Sequence, residues 1–404
     1  MKIKKCRSCG SKNLISILSL GNQYLSDFVK VNRKPKAFPL NMVLCKDCFL
    51  VQLDYSAPSE YLYTERYGYK SGINQTMQEE LREIAQKSLK KVKKTKAKIV
   101  AVDIGANDGT LLKNYPKDIY RIGVEPISKF AKEARKHSNK VINDFFTYES
   151  FYKALKNEKA DVITIISCFY DMEDPNKFIA DVKKIMKEDG ICVIQQNYLV
   201  GMLKLNAFDN IVHEHLEYYS LLSLNNLLSK HGLEVFDVEL RELNGGSFRT
   251  YITFKGKRKI TKAVEKLNKY EKRLRLNKKN IYLDFAKRIK NNKKKLFKFI
   301  KKESEKGKTI YLYGASTRGN TLLQYFDLDS KLITKAVERN PEKWGKIIAS
   351  VGIPIISEEQ ARRNKPDYML VLPWFFKREF LRREKKYLNS GGHFIFPLPK
   401  FEVI

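Results

Sequence analysis

No apolar run in this 404-residue sequence approaches the roughly 20 residues that a bilayer-spanning helix needs. The N-terminus, Met1-Lys-Ile-Lys-Lys-Cys6, also lacks the hydrophobic segment of a secretion signal. These absences predict a soluble, cytoplasmic chain with no membrane partner. Cysteine is scarce, at six residues, and in a reducing compartment disulfides are not its expected use. Acid is short as well: 45 Asp and Glu face 78 Lys and Arg, a formal net charge of +33. Such an excess invites a nucleic-acid reading. The lysines are spread along the whole chain, however, and are densest between Lys255 and Lys308, with no basic stripe interleaved with aromatics. No nucleic-acid partner is therefore expected, and a basic surface suits anionic small molecules equally well. The length and a hydrophobic content of 43% predict two or three domains.

What is present centres on Ile99-Val-Ala-Val-Asp-Ile-Gly-Ala-Asn-Asp-Gly109. Ile99 to Ile104 is apolar except for Asp103, the pattern of a strand buried on both faces. Gly105 ends it, and Gly109 is expected to open a helix led by Thr110-Leu-Leu, leaving free N–H groups at its start. The dinucleotide fingerprint G-x-G-x-x-G fails at Asn107. A second apolar run, Tyr120-Arg-Ile-Gly-Val, ends in Glu125, about twenty residues after the turn, where an α/β nucleotide fold places its ribose acceptor. D-I-G-x-N-D-G followed by V-E-P resembles the cofactor loop and acidic second strand of class I S-adenosylmethionine (SAM) methyltransferases.

Strand and helix patterns alternate from there. Helix Ser128 to His137, a short strand at Val141-Ile-Asn143 running into Asp144-Phe145-Phe146, strand Asp161 to Ser167, a helix after Asp174-Pro and strand Ile191 to Gln196 predict a parallel, doubly wound sheet. Ligands in such sheets lie at the carboxyl ends of the strands. The expected cofactor contacts are thus Asp103, Gly105, Asn107, Gly109, Glu125, Asp144, Phe145, Ser167 and Gln196. Asn74 to Lys94 reads as a helix leading into the first strand. Between Lys257 and Lys302 apolar residues recur at steps of three, four and seven, an amphipathic helix or helix pair with a solvated basic face.

Four of the cysteines form two C-x-x-C pairs, Cys6/Cys9 and Cys45/Cys48. Four thiolates close a tetrahedral zinc site with no open position, so this zinc is expected to be structural. Cys168 and Cys192 lie in apolar runs and read as packing residues. Past Gly307, the strand Thr309-Ile-Tyr-Leu-Tyr313 leads into Gly314-Ala-Ser316-Thr317-Arg318-Gly319 and an expected helix Asn320 to Phe326. The spacing is that of a P-loop, but Asn320 stands where its Lys is needed, so ATP binding is not expected. Arg318 beside free N–H groups suits a diphosphate.

His213-Glu214-His215 places two of five histidines in three residues. No third ligand of matching spacing lies nearby, which favours acid–base chemistry over a catalytic metal, with the flanking carboxylate tuning an imidazole that titrates near neutrality. The run F-D-x-I-x-H-E-H-L-x-Y-Y-S, followed by Asn244-Gly-Gly-Ser-Phe-Arg249, resembles the sugar C-methyltransferases that act on nucleotide-linked 4-keto deoxyhexoses. The cysteine knuckle with Phe38-Pro-Leu40 and Leu50-Val-Gln-Leu53, the segment Tyr67-x-Tyr69-x-Ser71 and the C-terminal Y-G-A-S-x-x-G-N resemble the same family, in the same order, over nearly the whole chain. The resemblance departs at Val212, where the family has Tyr, and at Ser350-Val351.

The resemblance implies an α/β fold, with a class I methyltransferase sheet flanked by a small zinc-binding domain and a C-terminal Rossmann-like domain. The expected bounds are 1–70 for the zinc domain, 71–255 for the SAM-binding domain, 256–303 for a helical connector and 304–404 for the nucleotide-sugar-binding domain. It implies SAM and structural Zn²⁺ as cofactors and a nucleoside-diphosphate sugar as substrate, methylated on carbon beside a ketone. His215 would be the general base, Glu214 its orienting partner, and Tyr67 or Tyr69 donors to the oxyanion. Substrate contacts would come from Asn197, His213, Arg249, Gly314, Ser316, Thr317, Arg318 and Asn320. O- or N-methylation of a sugar nucleotide is the alternative raised by Val212; a nucleic-acid methyltransferase and a non-catalytic SAM-sensing scaffold are more distant ones. The nucleotide base, the sugar and the oligomeric state are open in the sequence.

Overall fold

The computed structural model describes residues 1–31, 33–62, 69–93 and 98–404. Three sheets organise them. The first has four antiparallel strands in the order Leu14–Tyr24, Ala37–Cys45, Val51–Leu53 and Glu217–Tyr218. Its last strand comes from far along the chain, two residues after His215.

The central sheet has seven strands. Lys140–Ile142, Tyr120–Val124, Val100–Ile104, Ala160–Ile166 and Met186–Asn197 are neighbours in that order and parallel. Ser247–Phe254 then runs antiparallel, with Leu233–Arg241 on the edge. Val100–Ile104 is buried at every position, as a central strand covered on both faces must be. Chain order reverses beside it, between Tyr120–Val124 and Ala160–Ile166, and that switch point opens a crevice at the carboxyl ends of the strands.

The helix expected after Gly109 is not there: a single 3-10 turn, Leu112–Asn114, replaces it. Pro116 follows within a turn and lacks the N–H a longer helix would need. Gly109 itself packs so closely that a Cβ would lie 2.8 Å from the Ala134 Cα. The helix before the sheet is Gln75–Lys91, with the Asn74 side chain accepting from Met77 N.

The third sheet has eight strands. Its parallel centre runs His393–Phe396, Tyr368–Val371, Ile310–Tyr313, Lys335–Glu338 and Ile353–Ser357. Ile347–Ile348 and then Phe28–Val29, from the N-terminal region, extend it on one edge. The helix after the glycine turn spans Thr317–Tyr325, three residues earlier than expected, because Ser316 caps it by accepting from Gly319 N at 3.0 Å. The predicted basic helix pair is Lys262–Leu274 and Asn280–Glu305; the longer helix buries Phe285, Ile289, Leu296 and Ile300. One apolar core runs continuously from Ile17 and Leu44 through Leu203 and Phe208 to Leu312 and Phe394, so the zinc module, the 199–216 segment and the C-terminal domain share it. No helix among the described residues is long and apolar enough to cross a membrane.

Candidate active site

The cysteine pairs converge as their spacing implies. The four Sγ atoms of Cys6, Cys9, Cys45 and Cys48 lie within 4.8 Å of one another, with Cys6–Cys48 at 3.6 Å and Cys9–Cys45 at 3.4 Å. Zn–S bonds of about 2.3 Å at tetrahedral angles put sulfurs roughly 3.8 Å apart, so the cage fits the ion.

The glycine turn builds a corner around the Glu125 carboxylate. Gly105 has φ +75°, and a Cβ there would meet the Cys168 sulfur at 2.9 Å. Its N–H bonds the Val124 carbonyl at 2.9 Å. Asn107 N donates to Glu125 Oε2 at 2.8 Å and Ile127 N to Oε1 at 2.9 Å. Each oxygen of this buried carboxylate therefore keeps a lone pair, and burial pushes its pKa up. An acceptor pair of this kind fits the vicinal hydroxyls of the SAM ribose. Asp103 lies beneath, bonded by Thr164 Oγ1 at 2.6 Å, and burial pushes its carboxyl up to about 7. Gln196 is buried with both amide atoms unpartnered among the described residues. Asp144 and Phe145 are exposed at the end of the third strand.

A cavity of about 330 Å³ lies between this rim and the C-terminal domain, within the size range of small-molecule sites. Ser167, Asn197, Glu214 and His215 line it from the methyltransferase sheet, and Gly314, Ser316, Thr317 and Arg318 from the C-terminal domain; Tyr69 lines it as well. Tyr67 lies outside the described residues.

His213 and His215 do not face the same way. They sit in a turn and diverge. His213 is buried away from the cavity, its Nε2 3.0 Å from the Phe38 carbonyl and its ring edge-on to Phe38; burial drops its pKa to about 4. His215 faces the cavity, its ring 4.3 Å from that of Tyr170. Its Nδ1 lies 2.8 Å from the Asn210 carbonyl, which can only accept, so Nδ1 carries the hydrogen and Nε2 keeps a lone pair. The orienting group is thus Asn210, not the Glu214 carboxylate expected from sequence. Burial lowers the His215 pKa to about 3, with the Arg318 charge adding to the effect, while burial raises that of Glu214.

Arg318 spends its guanidinium within the protein: Nη2 on Asp209 Oδ2 at 2.7 Å and Nη1 on the Asn244 carbonyl at 2.8 Å, stacked 4.7 Å over Phe375. Trp374 Nε1 donates to the same Asp209 oxygen at 3.2 Å. Asp209 and Asn210 share one 3-10 turn, Phe208–Asn210. Arg318 thereby ties the C-terminal domain to the turn that orients His215. Two other expected contacts stand away from the cavity. Arg249 is fully buried on Glu80 (2.7 Å) and Gln195 (2.7 Å), holding the sheet to helix Gln75–Lys91. Asn320 is buried and accepts from the Ser350 hydroxyl.

Tyr170, Asp171, Phe375 and Glu338 line the cavity without having been anticipated. Glu338 alone had a sequence signal: it ends the strand after the Gly314 turn, as Glu125 does after Gly105.

Three family models match successive parts of the chain: "Putative zinc binding domain" over residues 6–63, "Methyltransferase domain" over 73–238 and "C-methyltransferase C-terminal domain" over 242–399. The C-methyltransferase NovU of Streptomyces niveus is 29% identical over 409 residues, covering 100% of this chain and 97% of its own. Among solved structures, the cyclopropane synthase MmaA2 of Mycobacterium tuberculosis aligns with 46% of this chain and 90% of its own, at 14% identity and a TM-score of 0.36. The plantazolicin methyltransferase BpumL, solved with SAH, aligns with 43% of this chain and 82% of its own, at 12% identity and a TM-score of 0.35.

Proposed function

Starting from a chain that belongs to the SAM-dependent C-methyltransferases, we propose that it methylates the carbon beside the ketone of a nucleoside-diphosphate keto-deoxysugar, with His215 as general base. The observation that carries this reading is the His215 ring itself, on the cavity wall with Nδ1–H on the Asn210 carbonyl and Nε2 without a hydrogen-bond partner among the described residues. A base must present a lone pair, and here the tautomer is fixed before substrate arrives.

A proton on carbon next to a carbonyl is weakly acidic, so the base needs help from a site that accepts the developing enolate charge. Val212 gives the wall no phenol. Glu214, on the same cavity, has its pKa raised by burial, so its carboxyl holds a proton more readily than an ordinary glutamate and can donate to the ketone oxygen. Tyr69 is a second donor. His215 Nε2 takes the C–H proton, and the electron pair moves toward the ketone oxygen, leaving the carbon nucleophilic. Gly105 and Glu125 would hold SAM, which would supply an electrophilic methyl group for that carbon, its S–CH3 bond breaking as the C–CH3 bond forms and S-adenosylhomocysteine leaving. The imidazolium then returns its proton to solvent, which restores the base. Cytoplasmic location fits a substrate that carries a diphosphate.

The test separates deprotonation from methyl transfer. Enzyme is incubated with a nucleotide-linked keto-sugar in D2O, with S-adenosylhomocysteine as the inert cofactor analogue. Wild type is expected to wash deuterium into the carbon beside the ketone, and His215→Asn to do so about 10²–10⁴-fold more slowly. Equal exchange in both proteins, or a product methylated on oxygen or nitrogen, would remove the carbon-acid mechanism.

A further inference from the structure

The turn that fixes His215 is held from outside the methyltransferase sheet. Phe208–Asn210 carries the carbonyl that accepts from His215 Nδ1. Asn210 does not anchor that turn with its own side chain: it is fully buried, and neither atom of its amide has a partner among the described residues. The two residues before it are held instead, and both by one helix of the C-terminal domain, Thr317–Tyr325. Near the start of the helix Arg318 grips Asp209 at 2.7 Å. At its far end the Phe208 ring packs 5.1 Å from Tyr325 and 5.2 Å from Phe326.

Asp209 gathers the polar half of this attachment. Its Oδ2 accepts from Arg318 Nη2 and, at 3.2 Å, from Trp374 Nε1, so both donors come from the C-terminal domain. The residue is 1% exposed and does not line the cavity, so it offers no contact to a substrate there. A carboxylate so enclosed is costly unless paired: burial pushes its pKa up, and the Arg318 charge pulls it back. Removing the carboxylate charge leaves Arg318 without its counter-ion, and the turn is then free to shift. The next residue along is Asn210, whose carbonyl holds the imidazole hydrogen on Nδ1.

We propose that Asp209 is a positioning residue for the base: with Arg318 and Trp374 it fixes the Asn210 carbonyl, and through it the tautomer of His215. The C-terminal domain would then act on the deprotonation step as well as on substrate binding. The proposal rests on the reading of His215 as base and adds the residues that hold it ready. A histidine whose orienting acceptor moves can carry its hydrogen on the other nitrogen, and the lone pair is then withdrawn from the cavity.

The experiment labels the full-length protein with nitrogen-15 in histidine and compares wild type, Asp209→Asn, Trp374→Phe and Arg318→Lys without substrate. Ring nitrogen shifts separate protonated from bare nitrogens, and His215→Asn identifies the signal. Wild type is expected to show His215 with its hydrogen on Nδ1 alone. Asp209→Asn, which keeps the side-chain size and loses the charge, should show both tautomers. Trp374→Phe removes one of two donors and should fall between, while Arg318→Lys, which restores a cation to Asp209, should stay close to wild type. In the deuterium wash-in described above, Asp209→Asn should exchange about 10- to 100-fold more slowly at saturating keto-sugar nucleotide. Its KM and its affinity for S-adenosylhomocysteine should match wild type, which also certifies the fold. A single Nδ1–H tautomer in Asp209→Asn, or an unchanged exchange rate, overturns the positioning role. So does a rate loss accompanied by lost S-adenosylhomocysteine affinity, which marks Asp209 as merely structural. Tautomers that shift as expected while no protein exchanges deuterium, wild type included, uphold the hold on His215 and overturn the reading of it as base.

Discussion

Lowering the pH from 8 to 5 should destabilise this protein through two histidines and leave the proposed base, His215, unprotonated until the fold fails. Burial holds His213 and His215 neutral, with pKa values lowered to about 4 and about 3. An unfolded histidine titrates near 6.5. Below that value the unfolded chain binds protons that the folded chain refuses, so stability is complete above about pH 6.5 and falls with acidification. At pH 5 each imidazole has cost about 1.5 pK units, or about 2 kcal/mol, and the pair about 4 kcal/mol. That is a large part of the 5–15 kcal/mol typical of a domain. Urea midpoints at pH 8, 7, 6 and 5 for wild type, His213→Gln and His215→Asn measure it: each variant should lose about half of the acid slope between 6.5 and 5. In the same window kcat/KM of wild type should show no limb near 6.5, because His215 stays unprotonated wherever the protein is folded. Identical acid slopes in all three proteins, or a kcat/KM limb between pH 6 and 7 with the fold intact, would refute the burial argument.

Glu125→Ala removes the charged acceptor from the cofactor corner, and calorimetry should find SAM bound about 10- to 100-fold more weakly. Loss of SAM affinity should also set in at higher pH than for an ordinary glutamate, because the raised pKa protonates Glu125 earlier on acidification. Elemental analysis should return one zinc per chain, and Cys45→Ser should lower both zinc content and the melting temperature. Since Leu53 N bonds the Leu216 carbonyl at 2.8 Å, that variant should lose turnover more than SAM affinity. Gly109→Ala forces a side chain into φ +78° and against the Ala134 backbone; an expected loss of about 1–3 kcal/mol would appear in thermal melts.

The strand Val100–Ile104, the glycine after it and Glu125 were legible because a buried strand and a strand-end acid leave a local signature. The absent helix after Gly109 was misread for a related reason: Thr110-Leu-Leu looks helical until Pro116 and the Ala134 contact are weighed. Helix Tyr148–Leu155 was missed, since eight residues give the period too few turns to declare itself. The divergence of His213 and His215 depends on a turn, and the order of residues in a His-Glu-His run does not say which way each ring points. Arg318 had the right chemistry for a diphosphate, but its partner Asp209 is 109 positions away, and long-range ion pairs have no local signature. Glu338 was within reach, by the same spacing argument that found Glu125.

The strand exchanges between sheets also impose a schedule. Tyr24 and Gln324 trade two hydrogen bonds across 300 residues, and Phe28–Val29 awaits Ile347–Ile348 as its sheet neighbour. At about 5–20 residues per second on the ribosome, the N-terminal segment waits roughly 15–60 s for the partner that finishes its packing. During that interval the zinc-bound knuckle is the part that can set locally, while Phe28–Val29 remains an unpaired edge. A gene cut between the zinc module and the rest would yield halves that each lack a strand of the other, so this enzyme is expected to be inherited, expressed and engineered as one indivisible reading frame.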